Sequence, residues 1–524
     1  MSHTLRPERL PGRPLSGLAA LLGVTMTGPA GPDPFAGPDG PSMVTGITLD
    51  SRAVRPGDLY AALPGSRHHG AAFCEQAADA GAVAVLTDQS GREQARRCGL
   101  PVFVVTDIRN RLGEVAAWVY RNPSERLLVI GVTGTSGKTT TTYLAEAGLR
   151  MAGHVTGLIG GVETRVAGQA VPSQLTTPEA PDLQALFAAM TERGVTAAAM
   201  EVSSHSLALG RVAGTSYDVA VFTNLSQDHL DFHPSLEDYF AAKSLLFTPA
   251  YARIGVVNVD DSHGRRLAGS AQIPVTSFSA AGDPAADWRA ADVRCGADGS
   301  TFRIVGPGGI EADTSVSLPG PFNVANALGA VVALVEAGTG LSSAVTGVAA
   351  CAGVPGRLER VEAGQDFTVL VDYSHKPGAV EAVLRALRQV TGGRLAIVLG
   401  CGGDRDRAKR PLMGAAAASL ADVAILTSDN PRSEDPLAIL AEMLAGVLTV
   451  PQQERARVII EPDRAAAISL AIASAGKGDL IVVAGKGHER GQSAGGQVTP
   501  FDDREVAAAA ITRRQAADAA GEGA

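Results

Sequence analysis

Lysine is nearly absent from this chain. Of 45 basic residues in 524, only Lys138, Lys243, Lys376, Lys409, Lys477 and Lys486 are lysine, so arginine carries almost all the positive charge. Genomic base composition accounts for the bias overall. It does not account for where the six fall, most of them beside clusters of Gly, His, Asp or Arg. Cysteine is scarce too. Cys74, Cys98, Cys295, Cys351 and Cys401 are scattered without paired spacing, which argues against a disulfide-stapled or zinc-bound scaffold and for a reduced, intracellular setting. No basic block interrupts a formal net charge of −9, so no nucleic acid is expected as a partner. No apolar run reaches the ~18–20 residues of a membrane span, and no membrane partner is expected. Neither an internal repeat nor a coiled-coil heptad is evident. Arg6, Arg9 and Arg13 before Leu15–Val24 imitate a signal peptide, but the Gly- and Pro-rich stretch that follows, Gly28–Pro41, has no clean small-residue cleavage site. A short helix and a loose connector is the better reading.

The densest information lies in Gly131-Val-Thr-Gly-Thr-Ser-Gly-Lys-Thr-Thr-Thr141. These residues follow an apolar run, Leu127 to Ile130, and open a helix-like segment from Lys138 to Met151 that stops at Gly153. Strand, glycine-rich turn and helix start together make a cradle whose backbone N–H groups face phosphate oxygens. Lys138 supplies a point charge, and the Thr139 hydroxyl suits Mg²⁺. The spacing departs from the commonest P-loop, which requires glycine five residues before Gly137, where Val132 stands. A nucleotide-driven enzyme of the cytoplasm is the expectation.

At this length two to four domains are expected. Residues 1–44 read as a flexible extension with a short helix. Over 45–124, short strands (Leu59–Leu63, Val83–Leu86, Val102–Val105) alternate with Ala-rich helical stretches, a small N-terminal α/β domain ended by the linker Arg121-Asn-Pro-Ser124. Residues 125–355 alternate strand and helix as in a parallel sheet covered by helices, a central P-loop ATPase-like domain. Residues 356–524 repeat the alternation as a C-terminal Rossmann-like domain, so the fold class is α/β in three domains. The tail from Gln515 is expected to fray.

Polar residues collect where apolar runs end. Ala197–Met200 runs into Glu201, Ser203, Ser204 and His205, and Val219–Phe222 into Thr223, Asn224, Asp228 and His229. Farther on, Val369–Val371 leads to Asp372 and His375, and Leu395–Leu399 to the segment 400–407. Val423–Leu426 leads to Asp429-Asn-Pro-Arg432, and Leu480–Val483 to Gly485-Lys-Gly-His-Glu489. Open parallel sheets bind ligands beyond the carboxyl ends of their strands, so two ligand-binding domains facing one cleft are expected. Glu201 and His229 suit a Mg²⁺ site; equally, Glu201 caps the next helix and His229 is a hydrogen-bonded core histidine. Lys243, in an apolar helical stretch, reads as a lysine snorkelling to solvent, and a metal role would require carbamylation to an oxygen ligand. Arg405 and Arg432 offer guanidinium forks for a carboxylate, and Glu489 an acceptor for an ammonium, together suiting a zwitterionic amino acid; Arg405 alternatively pairs with Asp404 or Asp406.

In order and spacing these segments resemble the Mur ligases of peptidoglycan synthesis, over about Thr45 to Glu505. The resemblance is carried by Asp50-Ser-Arg52 with Arg55-Pro-Gly57, Thr133-Gly-Thr-Ser-Gly-Lys-Thr-Thr140, Thr176-Thr-Pro178 and Met200-Glu-Val-Ser-Ser-His205. It continues through Thr223-Asn-Leu-Ser-Gln-Asp-His-Leu-Asp231, Ala242-Lys243, Gly356-Arg-Leu-Glu359, Asp372-Tyr-Ser-His375, Gly402-Gly-Asp-Arg-Asp406, Asp429-Asn-Pro-Arg432 and Gly485-Lys-Gly-His-Glu489. Within the family it is nearest the branch that adds diaminopimelate to UDP-N-acetylmuramoyl-L-alanyl-D-glutamate. What the resemblance implies is an ATP-driven amide ligase that forms an acyl phosphate on the D-glutamate γ-carboxylate. It implies ATP held by Gly134, Thr135, Ser136, Gly137, Lys138, Thr139 and Thr140, with Asn323 and Asn326 near adenine. Arg357 and Asp372 would arrive by domain closure. Mg²⁺ would sit on Thr139 and Glu201, and a second ion on His229 and carbamylated Lys243, so that Lys138, Glu201, His229 and Lys243 form the catalytic set. Ser51, Thr176, Thr177, Ser203 and Arg211 would hold the UDP-muramoyl dipeptide. Arg405, Asp429, Asn430, Pro431, Arg432, Gly485 and Glu489 would hold diaminopimelate. A monomer is expected.

Departures from the family pattern are the Pro/Gly-rich insertion around Ala30–Ser42 and Leu209, where glutamine is common; His68 and His69 have no fixed register. A lysine-adding ligase is the nearest rival, opposed by Asn430 and Arg432, because lysine's far end would leave a guanidinium unpaired. A folylpolyglutamate-type ligase gives Asp50-Ser-Arg52 no role. A nucleotide switch leaves the carboxylate-recognising loops unexplained.

Overall fold

The computed structural model describes residues 5–23, 36–37, 40–65, 67–172 and 175–522. The insertion read around Ala30–Ser42 falls largely outside them. The chain divides into two compact units, Met1–Phe278 with Gly329–Gly347, and Ser279–Leu328 with Val348–Ala524.

The first unit holds two main sheets, besides the two-stranded ladders Arg13–Pro14 with Met43–Val44 and Ala36–Gly37 with Gly40–Pro41. The smaller is parallel, in the order Gly46–Thr48, Asp58–Ala62, Ala84–Thr87, Val102–Val104. Its side chains alternate between two cores, as the two-residue period of a strand requires. Leu59, Ala61, Leu86 and Phe103 pack with Leu15 and Leu18 of the helix Leu15–Leu22 and with Leu112 and Val115 of the helix Ile108–Val119. Tyr60, Val85 and Val102 join a second core with Cys74 and Ala77. The short N-terminal helix expected from the sequence is thus part of a core.

The larger sheet runs parallel through Thr156–Ile159, Ala197–Glu201, Leu128–Thr133, Tyr217–Phe222, Ala252–Asn258 and Val275–Ser279. Antiparallel strands Thr164–Val166 and Gln169–Val171 extend its first edge. All five residues of Ala197–Glu201 are buried, the pattern of a strand covered on both faces. The helix Lys138–Met151 has the bounds read from the sequence.

The second unit departs from the expected alternation at Trp288–Gly296, Gly299–Val305 and Glu311–Val316, which form an antiparallel meander. Tight turns through Gly296–Gly299 and Gly306–Gly309 leave no room for crossover helices, and the middle strand buries alternate residues only. The six-stranded sheet has the order Glu359–Arg360, Thr368–Asp372, Leu480–Ala484, Leu395–Leu399, Val423–Leu426, Arg457–Ile460. Only the first strand is antiparallel. Leu480 and Val482 face Leu384, Met413 and Leu440, while Ile481 and Val483 face Ile468, Ile472 and Ile511. Asp372, Ala484, Leu399 and Leu426 stand in one register row, so the four loops that follow leave the same edge. The tail does not fray at Gln515: its helix runs from Asp503 to Glu522, sustained by alanine, the best helix former, and anchored through Ala507, Ala510 and Ile511. Among the described residues no helix is long and apolar enough to cross a membrane.

Candidate active site

The glycine-rich loop leaves the sheet at Thr133 and enters its helix at Lys138. Gly134 has φ +147°, and a Cβ there would stand 1.9 Å from Thr223 Oγ1, so only glycine lets the chain through. The segment after the adjacent strand pins the loop from outside. Asn224 O accepts from Thr135 N at 2.9 Å, Asn224 Oδ1 from Ser136 N at 3.0 Å, and Thr223 Oγ1 donates to Ser136 O at 2.6 Å. Lys138 curls over the loop and donates to Gly134 O (2.8 Å) and Thr135 O (3.0 Å). The positive end of the helix dipole, from Gly137 to Thr140, opens on the same turn.

Thr139 Oγ1 donates to Glu201 Oε1 at 3.0 Å, and that oxygen also accepts from Gly161 N at 2.9 Å. Both residues are buried, and strand register sets Glu201 opposite Val132. Glu201 is therefore not the cap of the following helix; Ser203 is, accepting from Ser206 N at 3.1 Å. Lys243 does not snorkel to solvent. It is 1% exposed, donates to Gly134 O at 2.9 Å and lies 4.5 Å from the Tyr239 ring centroid, because its helical face turns inward under the loop. Tyr239 was missed by sequence reading. Its hydroxyl meets Thr135 Oγ1 at 3.1 Å, and its spacing of four from Lys243 on one helix was the available signal.

His229 is no core histidine. Its side chain is 42% exposed, its φ is +53°, and Nε2 lies 3.0 Å from Asp228 Oδ2. Its ring stands edge-on to His205, which stacks on Phe232 at 4.1 Å. Burial, with His229 and His233 adding to it, pulls the His205 pKa down to about 4. Mg²⁺ takes hard oxygens, one or two carboxylates with phosphates and water, and the adjacent Thr139 hydroxyl and Glu201 carboxylate fit that requirement. Among the described residues no three or more His, Cys, Asp or Glu are grouped to hold a metal, so an ion here depends on phosphate for the rest of its shell.

Of the residues expected to hold the sugar nucleotide, Thr177 and Ser203 meet beside Glu201. Thr177 Oγ1 donates to Glu201 O at 2.9 Å and accepts from Ser203 N at 3.2 Å. Thr176 lies against Gly161. Arg211 is ion-paired with Glu179 at 2.8 Å, and Ser51, in the short turn after the strand Gly46–Thr48, donates to Gln76 Oε1 of the helix Cys74–Asp79 at 2.9 Å.

In the second unit, Asp372 accepts from Leu358 N (2.9 Å) and Ser374 N (2.8 Å), and the Arg357 guanidinium lies 4.6 Å from the Tyr373 ring centroid. Asn323 and Asn326 are buried and joined, Asn326 Nδ2 donating to Asn323 Oδ1 at 3.1 Å. A Cβ on Gly403 would stand 1.9 Å from Pro431 O, so the 400–407 loop and the Asp429–Arg432 loop lie backbone against backbone. Arg432 donates to Gly403 O at 2.6 Å, and its own backbone is held by the hairpin Gly491–Pro500 through Ser493 O (2.8 Å) and Gly495 N (2.7 Å). Gln492 Nε2 donates to Asp429 O at 2.9 Å, and Gly485 N to Asp372 O at 3.1 Å. Asn430 Nδ2 donates to Glu489 Oε2 at 2.8 Å. Arg405 is exposed and donates to the Asp404 carbonyl; the Asp404 carboxylate accepts from Ser433, and that of Asp406 from Ala408 N.

Of three buried cations beneath these loops, Arg410 and Arg464 escaped the sequence reading, and Lys486 was quoted in its motif without a role. Arg410 pairs with Glu434 (2.7 Å) and Glu442 (3.0 Å), and its guanidinium holds the Glu434 carboxyl down to about 2. Arg464 and Asp503, both wholly buried, form a fork 2.7 Å and 2.8 Å long, and Arg464 also donates to Ala484 O and Ser428 O. Lys486, 0% exposed, is the third.

A glycine-rich turn at a helix start on one sheet, and a guanidinium, an amide and a carboxylate along the edge of another, have the chemistry that a nucleotide-dependent ligase of amino acids needs. The chain belongs to the Mur ligase family. The Mur ligase family catalytic domain matches residues 43–120, the middle domain 132–334 and the glutamate ligase domain 356–487. The chain is accordingly an ATP-dependent, ADP-forming ligase of three-domain α/β architecture. UDP-N-acetylmuramoyl-L-alanyl-D-glutamate–2,6-diaminopimelate ligase of Streptomyces coelicolor is 59% identical over 97% of this chain and 98% of that protein. The protein of the same name from Streptomyces avermitilis is 58% identical over the same shares. A solved structure of a ligase so named superposes with TM-score 0.66 at 34% identity, covering 91% of this chain and 96% of that one.

Proposed function

We propose that this chain joins diaminopimelate to the D-glutamate γ-carboxylate of UDP-N-acetylmuramoyl-L-alanyl-D-glutamate, a cytoplasmic step of cell-wall precursor synthesis. The observation that carries the reading is the hydrogen bond of Asn430 to Glu489 on the loop that also bears Arg432, an amide, a carboxylate and a guanidinium suited to the far ammonium and carboxylate of that amino acid. The names and extent of the most similar proteins support it.

The γ-carboxylate oxygen attacks the terminal phosphorus of ATP, ADP leaves, and an acyl phosphate results. The diaminopimelate amine then attacks the acyl carbon, loses a proton, and phosphate departs from the tetrahedral intermediate. Gly134 to Thr140 hold the phosphates in line and Lys138 offsets their charge. Thr139 and Glu201 would hold Mg²⁺, which when bound neutralises phosphoryl oxygens. His229 and Lys243, the latter as a carbamate, would hold a second ion, which would supply positive charge to the acceptor. Asn323, Asn326, Arg357 and Asp372 are assigned to the nucleoside side of ATP. Ser51, Thr176, Thr177, Ser203 and Arg211 are assigned to the UDP-muramoyl dipeptide. Arg405, Asp429, Pro431 and Gly485 complete the diaminopimelate set. The domains run 45–124, 125–355 and 356–524, and the working unit is the monomer.

ADP release measured with the muramoyl dipeptide against diaminopimelate stereoisomers and lysine tests the reading. Turnover confined to diaminopimelate is expected. Equal turnover of lysine would move the chain to the lysine-adding branch, and ATP turnover independent of both substrates to a nucleotide switch.

A further inference from the structure

We infer that Lys486 is a positioning residue for amino-acid selection, fixing the side-chain amide of Asn430 and one oxygen of Glu489 so that the loop presents a single pattern of donors and acceptors. The inference rests on the proposed diaminopimelate site. Lys486 is 0% exposed, and its ammonium donates to Gly491 O (2.7 Å), Asn430 Oδ1 (3.1 Å) and Glu489 Oε2 (3.1 Å). An ammonium has three protons and no acceptor, so all three donors are committed and each neighbour must turn an oxygen toward it.

That requirement settles the amide of Asn430. Its Oδ1 faces Lys486 and also accepts from Ser493 N at 2.9 Å, which turns Nδ2 to Glu489 Oε2 at 2.8 Å. Glu489 Oε2 is thereby shared between Lys486 and Asn430, and Oε1 is left as the oxygen with which this carboxylate meets a ligand ammonium. The third donor, to Gly491 O, ties the arrangement to the start of the hairpin that holds Arg432. One cation thus registers the amide, the carboxylate and the strand behind the guanidinium.

The chain's preference for arginine makes this lysine informative. A guanidinium is planar and forked, whereas three oxygens converging on one buried point call for a compact cation. Removing that cation frees the amide to rotate and leaves the Glu489 carboxylate without its counter-charge, so the cost falls on recognition of the amino acid.

The test is steady-state kinetics of the full chain with all three substrates, together with thermal unfolding. Lys486→Met is expected to raise the KM for diaminopimelate at least tenfold and to leave those for ATP and the muramoyl dipeptide within twofold. In an Asn430→Ala background most of that rise should vanish, because the group Lys486 orients is already gone. Additive effects, or equal rises in all three KM values, would overturn the role. Should Lys486→Met fail to fold, the isosteric Asn430→Asp keeps the question open to experiment. With Oδ1 held by Lys486, the second oxygen is driven against Glu489, so this variant should bind diaminopimelate more weakly than Asn430→Ala; equal or tighter binding overturns the role. Arg432→Ala and Glu489→Gln separate the two layers. If neither changes the diaminopimelate KM, the site assignment and the inference fall together; if both do and Lys486→Met does not, the inference alone falls.

Discussion

The glycine-rich loop around Gly134 and the Asp429–Arg432 loop each hold a turn still, with opposite materials. Around Gly134 the work is done by backbone groups and one short flanking segment, Thr223 to Ser226, with lysines donating to carbonyls. Around Asn430 it is done by buried ions from distant places: Arg410 with Glu434, 24 residues apart, Arg464 with Asp503, 39 apart, and Lys486 with Asn430, 56 apart. Phosphate is the same in every nucleotide, and a rigid run of N–H groups suffices for it. An amino acid must be told from its neighbours, which needs side chains of defined charge and orientation, and those need support from behind.

The contrast can be broken from either side. The largest effect is expected from Lys243→Ala, which should nearly abolish ligation, with part of the activity returning on addition of small carboxylates; full activity without them would remove the carbamate assignment. Gly134→Ala comes next. Its Cβ has no room beside Thr223 Oγ1, and displacement of the phosphates by an ångström should lower turnover about 100-fold with little change in the diaminopimelate KM. On the other side, Arg464→Met leaves the Asp503 carboxylate buried without its partner and should cost about 3–5 kcal/mol in denaturant unfolding. The double change Arg464→Met with Asp503→Leu should restore most of that stability while the diaminopimelate KM stays raised.

Smaller again is Arg432→Ala. Loss of charged hydrogen bonds of about 1.5–3 kcal/mol predicts a rise of roughly 10–100-fold in the diaminopimelate KM, with the other two substrates spared. The last effect is a pH dependence, read on stability and not on turnover. Burial first, and Lys376 and Lys409 next, lower the His375 pKa from its ordinary 6.5 to about 4. Between those values the unfolded chain holds a proton that the folded chain does not, so stability should fall as pH drops from about 6.5 to 4. Melting temperature across that range should show the slope, and His375→Gln should lessen it, with His205, also held near 4, contributing to what remains.

The same contrast explains what the sequence made legible. The helix Lys138–Met151, the strand ends that carry Glu201 and Asp372, and the loops of the last sheet could be read because each depends on residues adjacent in the chain. The meander over 288–316 was taken for strand and helix because short apolar runs look alike until their turns are seen. Lys243 looked like a surface lysine because a helix face gives no sign of what covers it. Arg410 and Arg464 were not picked out, and Lys486 was quoted without a role, since an arginine or lysine becomes a buried ion only through a partner far along the chain.

The scarce lysines have a further consequence. Lys138, Lys243, Lys409 and Lys486 all give hydrogen bonds to backbone carbonyls, and Lys477 is the one fully exposed lysine among the six. Among side-chain amines the folded chain therefore offers a label one ready handle, on the turn before the strand Leu480–Ala484. A fluorophore coupled at Lys477 under native conditions would report on the second unit, and the appearance of further labelled lysines would time the opening of the loops that hide them.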